Sequence, residues 1–128
     1  MIVVDTNVVA YLCLEGEWTG AAERLRLQDH HWRAPLLWRS EFRNVLAGQM
    51  RRSGLRLSTA MAALERADGM VQSGEVNSRR VLELAAQTRC TAYDLEFVAL
   101  AQQLAVPLVT MDRELLDAFP DIARPLMS

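Results

Sequence analysis

The chain has 128 residues, of which 51% are hydrophobic, and its formal net charge is −2. This size and apolar content predict one globular domain spanning residues 1–128 and exclude a disordered chain. All 14 basic residues are arginine, which excludes mechanisms that need a lysine. Because the chain has no overall positive charge, a nucleic-acid ligand would have to meet a local basic patch.

The two cysteines, Cys13 and Cys90, are too few for a disulfide framework and predict free thiols in a reducing compartment. No segment has the composition of a signal peptide or the apolar length of a membrane span. We therefore expect a cytoplasmic protein with no membrane partner.

Short apolar runs and amphipathic stretches alternate along the chain. The predicted strands are residues 2–4, residues 30–35, a weak strand at 74–77, residues 106–110 and an edge strand within 121–126. The predicted helices are residues 8–14, 19–27, 36–52, a helix capped by Ser58 that ends near Val71, 79–88, 91–105 and 111–119. This alternation predicts an α/β fold, a three-layer α/β/α sandwich whose central sheet is mainly parallel.

Two aspartates stand at the carboxyl ends of predicted strands. Asp5 directly follows the first strand, and Asp112 lies just beyond the strand that contains Val106–Thr110 in the sequence "VPLVT". In a parallel sheet the carboxyl ends of the strands share one edge, where ligands bind. We therefore expect both carboxylates to face the same crevice.

Asp94 occupies an unusual position on its predicted helix. At about 100° per residue, Asp94 falls within the apolar arc that includes Phe97 and Val98, whereas Glu96 falls on the opposite, solvent side. The alternative is that Asp94 only completes a capping box with Thr91.

Glu41 lies at the edge of the apolar arc of its own helix, beside Leu37 and Val45. The alternative for Glu41 is an exposed ion pair with Arg39 or Arg43, which is a common and weak interaction.

Four carboxylates facing inward repel one another, so a neutralising partner is required. Arginine or a divalent cation can supply it, and the hard oxygen ligands suit Mg²⁺ or Mn²⁺. Such an ion lowers the pKa of a bound water and stabilises a leaving oxygen. Phosphodiester hydrolysis is therefore the reaction class that the residues favour.

Three segments, "VVDTNVVAYL", "APLLWRSEFRNVLAG" and "TAYDLEFVALAQQLAVPLVTMDREL", occur in the order found in PIN-domain ribonucleases. The chain resembles that family over nearly its whole length, and within the family it is most similar to the VapC-type toxins of bacterial toxin–antitoxin pairs. The resemblance implies a PIN-like fold and cleavage of RNA with Mg²⁺ or Mn²⁺ as cofactor. It also implies a homodimer or a larger toxin–antitoxin assembly, and inhibition by a cognate antitoxin protein.

The resemblance also implies which residues form the site. It indicates a catalytic, metal-binding set of four carboxylates: Asp5, Glu41, Asp94 and Asp112. It indicates polar residues that orient ligands or water around this set: Thr6, Asn7, Thr110 and, less directly, Asn44. Asp117 is either an accessory acid of this site or an ordinary acid on a short helix.

Arginines are concentrated between residues 39 and 56: Arg39, Arg43, Arg51, Arg52 and Arg56. We interpret them as contacts to RNA phosphates or to the antitoxin, with a solvated, ion-paired helix face as the alternative. Further candidates are Arg79, Arg80 and Arg113. The pair His30 and His31 is predicted to lie in a surface loop rather than to bind a metal. The tryptophans at 18, 32 and 38 are predicted to be core or interface residues.

Three other functions compete with the ribonuclease hypothesis. The first is a non-catalytic module that binds RNA or an antitoxin, and the second is a metal-dependent nuclease with a housekeeping or DNA-directed role. The third is a phosphatase or phosphoacceptor domain with Asp5 as nucleophile. That third function is disfavoured because the chain has neither a lysine nor a second aspartate two residues after Asp5.

Overall fold

The computed structural model describes residues 1–127. Within them the strands are β1 (Ile2–Val4), β2 (Trp32–Pro35), β3 (Val71–Gly74), β4 (Leu108–Val109) and β5 (Ala123–Arg124). The helices are α1 (Thr6–Cys13), α2 (Thr19–Gln28), α3 (Trp38–Ser53), α4 (Leu57–Met70), α5 (Ser78–Gln87), α6 (Ala92–Leu104) and α7 (Arg113–Ala118). No helix in this part of the chain is long and apolar enough to cross a lipid bilayer.

The five strands form one sheet in the order β3-β2-β1-β4-β5, and every neighbouring pair is parallel. The central strand, β1, is buried along its whole length, as its uninterrupted apolar sequence predicts. Helix α6 packs across β1, β2 and β4, while α1 contacts α2, α3 and α4. The predicted fold class, a parallel sheet between helical layers, is confirmed.

Most predicted bounds shift by about one or two residues in the structure, and two further details differ from the prediction. The third strand is Val71–Gly74 and not residues 74–77, because Val71 is the apolar residue that pairs with Trp32 of β2 and is buried in the sheet. Ser58 does not cap α4, since that helix already begins at Leu57 and Arg56 occupies the capping position without a side-chain hydrogen bond.

Helix α3 ends where predicted, and its last turn shows why. Gly54 adopts the left-handed conformation, with a φ of 67°, and its N–H donates to the carbonyl of Gln49. Glycine adopts this conformation without steric cost, so it commonly terminates helices.

Candidate metal centre and active site

Asp5 and Asp112 lie at the same edge of the sheet, as predicted. Asp5 follows β1, and Asp112 lies three residues beyond Val109, the last residue of the adjacent strand β4. The backbone N–H of Asp5 donates to the carbonyl of Val109 at 3.0 Å. This bond fixes the end of β1 against the end of β4.

The Asp5 carboxylate is held by two hydrogen bonds. The backbone N–H of Thr6 donates to Oδ1 and the hydroxyl of Thr110 donates to Oδ2, both at 2.7 Å. Burial nevertheless raises the pKa of Asp5, and the charge of Asp112 raises it further, while the two hydrogen bonds act in the opposite direction. Burial thus disfavours the charged form of Asp5, which a nearby positive charge would favour.

Thr110 also ties Asp5 to Asp112. Its side chain is completely buried, and its Oγ1 accepts from the backbone N–H of Asp112 at 3.0 Å. Asp112 in turn caps α7, because its Oδ1 accepts from the N–H groups of Glu114 and Leu115 at 2.9 Å and 3.3 Å. The carboxylate is thereby oriented at the carboxyl edge of the sheet.

Glu41 reaches the same region from α3. Thr6 is 4% exposed, and its hydroxyl donates to Oε1 of Glu41 at 2.7 Å. Burial raises the pKa of Glu41, the Thr6 bond lowers it, and the charges of Asp5, Asp94 and Glu96 raise it. Glu41 forms no ion pair with Arg39 or Arg43 in the described residues, so the ion-pair alternative is wrong.

Asp94 is half-buried in the first turn of α6. Thr91 caps this helix, since its Oγ1 accepts from the N–H of Asp94 at 3.1 Å. Among the residues described, the return bond of a capping box, from the Thr91 N–H to the Asp94 carboxylate, is not formed. Burial raises the pKa of Asp94, and the charges of Asp112 and Asp5 add to that effect. Asp94 thus belongs electrostatically to the same cluster.

The expectation that Glu96 faces solvent is wrong. Glu96 is half-buried, burial raises its pKa, and its charge acts on Glu41. A helical projection describes α6 in isolation and does not show what packs over each of its faces. Glu96 is thus a second half-buried acid on α6, two residues from Asp94, that the helical projection placed on the solvent side.

The clustered carboxylates fit a hydrated metal ion better than an ion held by protein ligands alone. Within residues 1–127, no three His, Cys, Asp or Glu side chains are arranged so that they alone would hold one. The oxygen chemistry and the unneutralised negative charge do fit Mg²⁺ or Mn²⁺, which commonly use one or two carboxylates and retain several waters. In the same part of the chain, none of Asp5, Glu41, Asp94 and Asp112 forms an ion pair.

The predicted polar residues Asn7 and Asn44 are both exposed beside this cluster. They line one end of a groove of about 460 Å³ between α1, the α1–α2 connection and α3. Arg51 and Arg52 line the same groove together with Glu15 and Glu17, so its walls carry charges of both signs.

The remaining predicted residues are placed differently. Arg39 forms an ion pair with Asp68 of α4, and Arg43 donates to Ser40 Oγ at 3.1 Å. Asp117 is exposed on α7, and the acid of that helix whose charge acts on Asp94 is instead Glu114.

The histidines and tryptophans lie where the sequence predicted them, the histidines on the surface and the tryptophans in or against the core. His30 and His31 are exposed just before β2, with ring centroids 5.0 Å apart. Trp32 and Trp38 are each 1% exposed and belong to the core, while Trp18 is half-buried in the groove wall.

Comparison with known proteins agrees with this architecture. A family model of the PIN domain matches residues 2–122, and the chain belongs to the PIN-domain family. Ribonuclease VapC3 of Pyrobaculum aerophilum is 31% identical over 129 residues, which cover 97% of this chain and 98% of that protein. This similarity places the chain with the VapC group of that family.

Solved structures share the fold. A crystal structure of a Pyrobaculum aerophilum protein superposes with a TM-score of 0.73 at 23% identity, covering 98% of this chain and 90% of that one. A toxin–antitoxin complex from Klebsiella pneumoniae superposes with a TM-score of 0.68 at 16% identity, covering 100% of this chain and 99% of that one. The sarcin–ricin loop cleaving toxin VapC20 of Mycobacterium tuberculosis superposes with a TM-score of 0.67 at 20% identity, covering 92% of this chain and 95% of that one.

Proposed function

We propose that this protein is a metal-dependent endoribonuclease that hydrolyses RNA phosphodiester bonds and acts as the toxin of a toxin–antitoxin pair. The observation that carries the proposal is the cluster of Asp5, Glu41 and Asp94 at one edge of the sheet. Burial and mutual repulsion raise the pKa of all three carboxyls, and none has a basic partner in the described residues. The family relationship supports the same activity.

The proposed cation is Mg²⁺ or Mn²⁺, and the residues proposed to hold it are Asp5, Glu41, Asp94 and Asp112. A divalent ion held by these residues would lower the pKa of a water and would stabilise developing negative charge on the phosphate oxygens. It also offsets the repulsion among the carboxylates, which hydrogen bonds from Thr6 and Thr110 do not remove.

The chain's own residues supply orientation. Thr6 donates its backbone N–H to Asp5 and its hydroxyl to Glu41, while Thr110 joins Asp5 to Asp112. These bonds restrict the rotamers of the carboxylates, and such restriction is what a precisely aligned hydrolytic site requires. Asn7 and Asn44 are proposed to contact the substrate at the start of the groove.

The proposed partner is a cognate antitoxin protein, and the groove beside Asn7 and Asn44 is its proposed site. Tyr11 and Trp18 supply apolar surface there, while Arg51 and Arg52 supply positive charge. A segment seated in this groove would block access to the carboxylates. A homodimer remains a prediction, for which Leu36, 65% exposed ahead of α3, offers apolar surface.

The test compares wild type with Asp5→Asn and Asp94→Asn on a mixed RNA pool, in Mg²⁺, in Mn²⁺ and in EDTA. We expect cleavage in either metal, none in EDTA, and a loss of at least about a hundredfold in both variants, because each carboxylate neutralises or positions the ion. Asp121→Asn is the matched control, since Asp121 is exposed ahead of β5, at the opposite edge of the sheet.

Cleavage that persists in EDTA would contradict the metal requirement, and full activity in both variants would contradict the site. A duplex or single-stranded DNA pool in parallel assays separates an RNA enzyme from a DNA-directed one. RNA binding without turnover would favour the non-catalytic alternative. Growth arrest on expression, relieved by Asp5→Asn, tests the toxin role.

A further inference from the structure

Tyr93 is an aromatic residue that the packing of the protein leaves uncovered. Among the phenylalanine, tryptophan and tyrosine side chains of residues 1–127, it is the one that is exposed, at 64%, while the others are buried or half-buried. Within the same residues, no aromatic pair or cation–π contact includes its ring. Single exposed apolar side chains are common on protein surfaces, so the location of Tyr93 decides whether its exposure has a function.

Tyr93 lies at the carboxyl edge of the sheet. It is the second residue of α6, a helix that packs against β1, β2 and β4 and leads through a short connection into β4. Helix α6 therefore runs opposite to β4, and its first turn lies at the edge where β1 and β4 end. Asp5 and Asp112 follow those two strands. The exposed ring and the two carboxylates thus share one edge of the sheet.

Tyr93 also directly precedes Asp94, whose side chain is half-buried. Successive residues of a helix point about 100° apart, so the ring stands in solvent beside the Asp94 carboxylate. The first turn is held by Thr91, whose Oγ1 accepts from the N–H of Asp94 at 3.1 Å. Thr91 and Ala92 are themselves exposed. A ligand at the acidic cluster therefore has open access to a ring on a fixed backbone.

The charge of the cluster favours an aromatic contact at this position. Asp5, Asp94 and Asp112 repel the phosphate backbone of RNA, but stacking of an uncharged base on an aromatic ring is not opposed by these charges. Every base has a face that stacks, and a tyrosine ring has few torsions to restrict on binding. In a duplex the bases are already stacked on one another, so such a contact selects unpaired nucleotides.

We propose that Tyr93 is a stacking platform for one unpaired base of the RNA, next to the phosphate at the acidic cluster. This inference rests on the proposed ribonuclease function, and it narrows the substrate class to RNA that is single-stranded at the site of cleavage. Tyr93 is a positioning residue, because it contacts the base and not the reacting phosphate. Since stacking tolerates all bases, it sets the register of the strand and not its sequence.

The test measures binding in EDTA, by fluorescence anisotropy, of a labelled single-stranded RNA pool and of a duplex RNA of the same strand length. Tyr93→Ala should weaken binding of the single strand at least about fivefold and leave binding of the duplex unchanged. Tyr93→Phe and Tyr93→Trp should retain the wild-type affinity, because both keep an aromatic ring. The slope of log K against log salt should stay the same in all three variants, since no charge is removed.

Leu82→Ala is the matched control. Leu82 is 65% exposed on α5, which packs against α6, so its loss removes an apolar side chain of similar exposure but no aromatic face. Its RNA affinity should equal that of wild type. Unchanged single-strand binding in Tyr93→Ala would overturn the inference, as would an equal loss in the control, an equal loss on the duplex, or no retention of affinity in Tyr93→Phe and Tyr93→Trp. Melting temperatures check that all variants fold.

Binding in EDTA does not depend on catalysis, so stacking is judged separately from the ribonuclease activity. If wild type cleaves no RNA but its single-strand binding requires the Tyr93 ring, the proposed function fails and the stacking contact stands. If wild type cleaves RNA in Mg²⁺, Tyr93→Ala should raise KM by about the same factor as it weakens binding, with a smaller change in kcat. A large fall in kcat at unchanged KM would overturn the positioning role.

Discussion

Thr110 shows how much a single hydroxyl contributes at the carboxyl edge of the sheet. It is completely buried, donates to Asp5 Oδ2 at 2.7 Å and accepts from the N–H of Asp112 at 3.0 Å. Both partners belong to the proposed metal site. The hydroxyl therefore satisfies a backbone donor and orients a carboxylate at the same time.

Thr110→Val keeps the side-chain shape but removes both hydrogen bonds. We expect the free energy of unfolding to fall by about 1–3 kcal/mol at pH 7, because a buried carboxylate and a buried N–H lose their partner. The loss should be smaller at pH 5 than at pH 7, because burial raises the pKa of Asp5 and a larger share of it is therefore protonated at the lower pH. Urea denaturation at both pH values measures the difference.

Thr88→Val is the matched control for this substitution. The Thr88 hydroxyl likewise donates one hydrogen bond and accepts one from an N–H. It donates to the carbonyl of Leu84, however, which is not ionisable. Its stability loss should be the same at both pH values. If the stability loss in Thr110→Val is also the same at both pH values, the proposed contribution of its hydrogen bond to Asp5 is contradicted.

At the level of elements, the acidic cluster is assembled by helix N-termini. Asp5 and Asp112 cap α1 and α7, while Glu41 and Asp94 lie in the first turns of α3 and α6. In a parallel α/β fold the helices run opposite to the strands, so their N-termini meet at the carboxyl edge of the sheet. The partial positive charge of each N-terminus offsets part of the cost of holding these carboxylates together.

Helix α3, which carries Glu41 and the groove arginines, depends on Gly54 for its end. In Gly54→Ala the added Cβ meets open space, so the change isolates the cost of a left-handed conformation at a φ of 67°. We expect a loss of about 1 kcal/mol in the free energy of unfolding. Denaturant unfolding provides the measurement.

Gly69→Ala is the corresponding control. Gly69 lies within α4, and its added Cβ also meets open space. Because its backbone is helical, alanine should stabilise the protein by about 0.5–1 kcal/mol. If both substitutions shift stability in the same direction, the backbone conformation is not the deciding factor at Gly54.

For the whole molecule, the acidic cluster sets how stability depends on pH. Folding raises the pKa of Asp5, Glu41 and Asp94, so the folded protein binds protons more tightly than the unfolded chain. Their contribution is therefore fully present below the ordinary values of 3.8 and 4.5 and is lost as pH rises through the raised values. Burial also raises the pKa of Asp29, but hydrogen bonds from the Met1 amino group and the His31 N–H lower it overall, so its stabilising contribution is present above 3.8 and is lost as pH falls below that value.

The cation-free protein should consequently be more stable near pH 5 than near pH 7. We expect Asp5→Asn to raise the free energy of unfolding at pH 7, because burial raises the pKa of Asp5 and the neutral amide removes the cost of holding a charge there. The gain should disappear as the pH falls. Thermal unfolding in EDTA at several pH values is the measurement, with Asp121→Asn as the exposed control. Higher stability of wild type at pH 7 than at pH 5 would contradict the sign.

The sequence by itself determined the features that depend on local chemistry. The apolar run Ile2–Val4 specified a strand buried on both faces, and Asp5 directly after it specified a carboxylate at the strand's end. Thr91 specified where α6 begins, and Gly54 specified where α3 ends. These follow from hydrophobic periodicity, capping and backbone conformation, which act over a few neighbouring residues.

Only the tertiary structure decided which side chains meet across elements. The hydroxyl of Thr6 reaches Glu41, which is 35 residues away, and Arg39 pairs with Asp68 and not with its sequence neighbour Glu41. Glu96 is half-buried although the projection of its own helix placed it on the solvent side. Periodicity gives the face on which a side chain lies but not the element that packs over that face. Those contacts were therefore fixed by the packing of α3 against α1 and α4 and of α6 against the sheet.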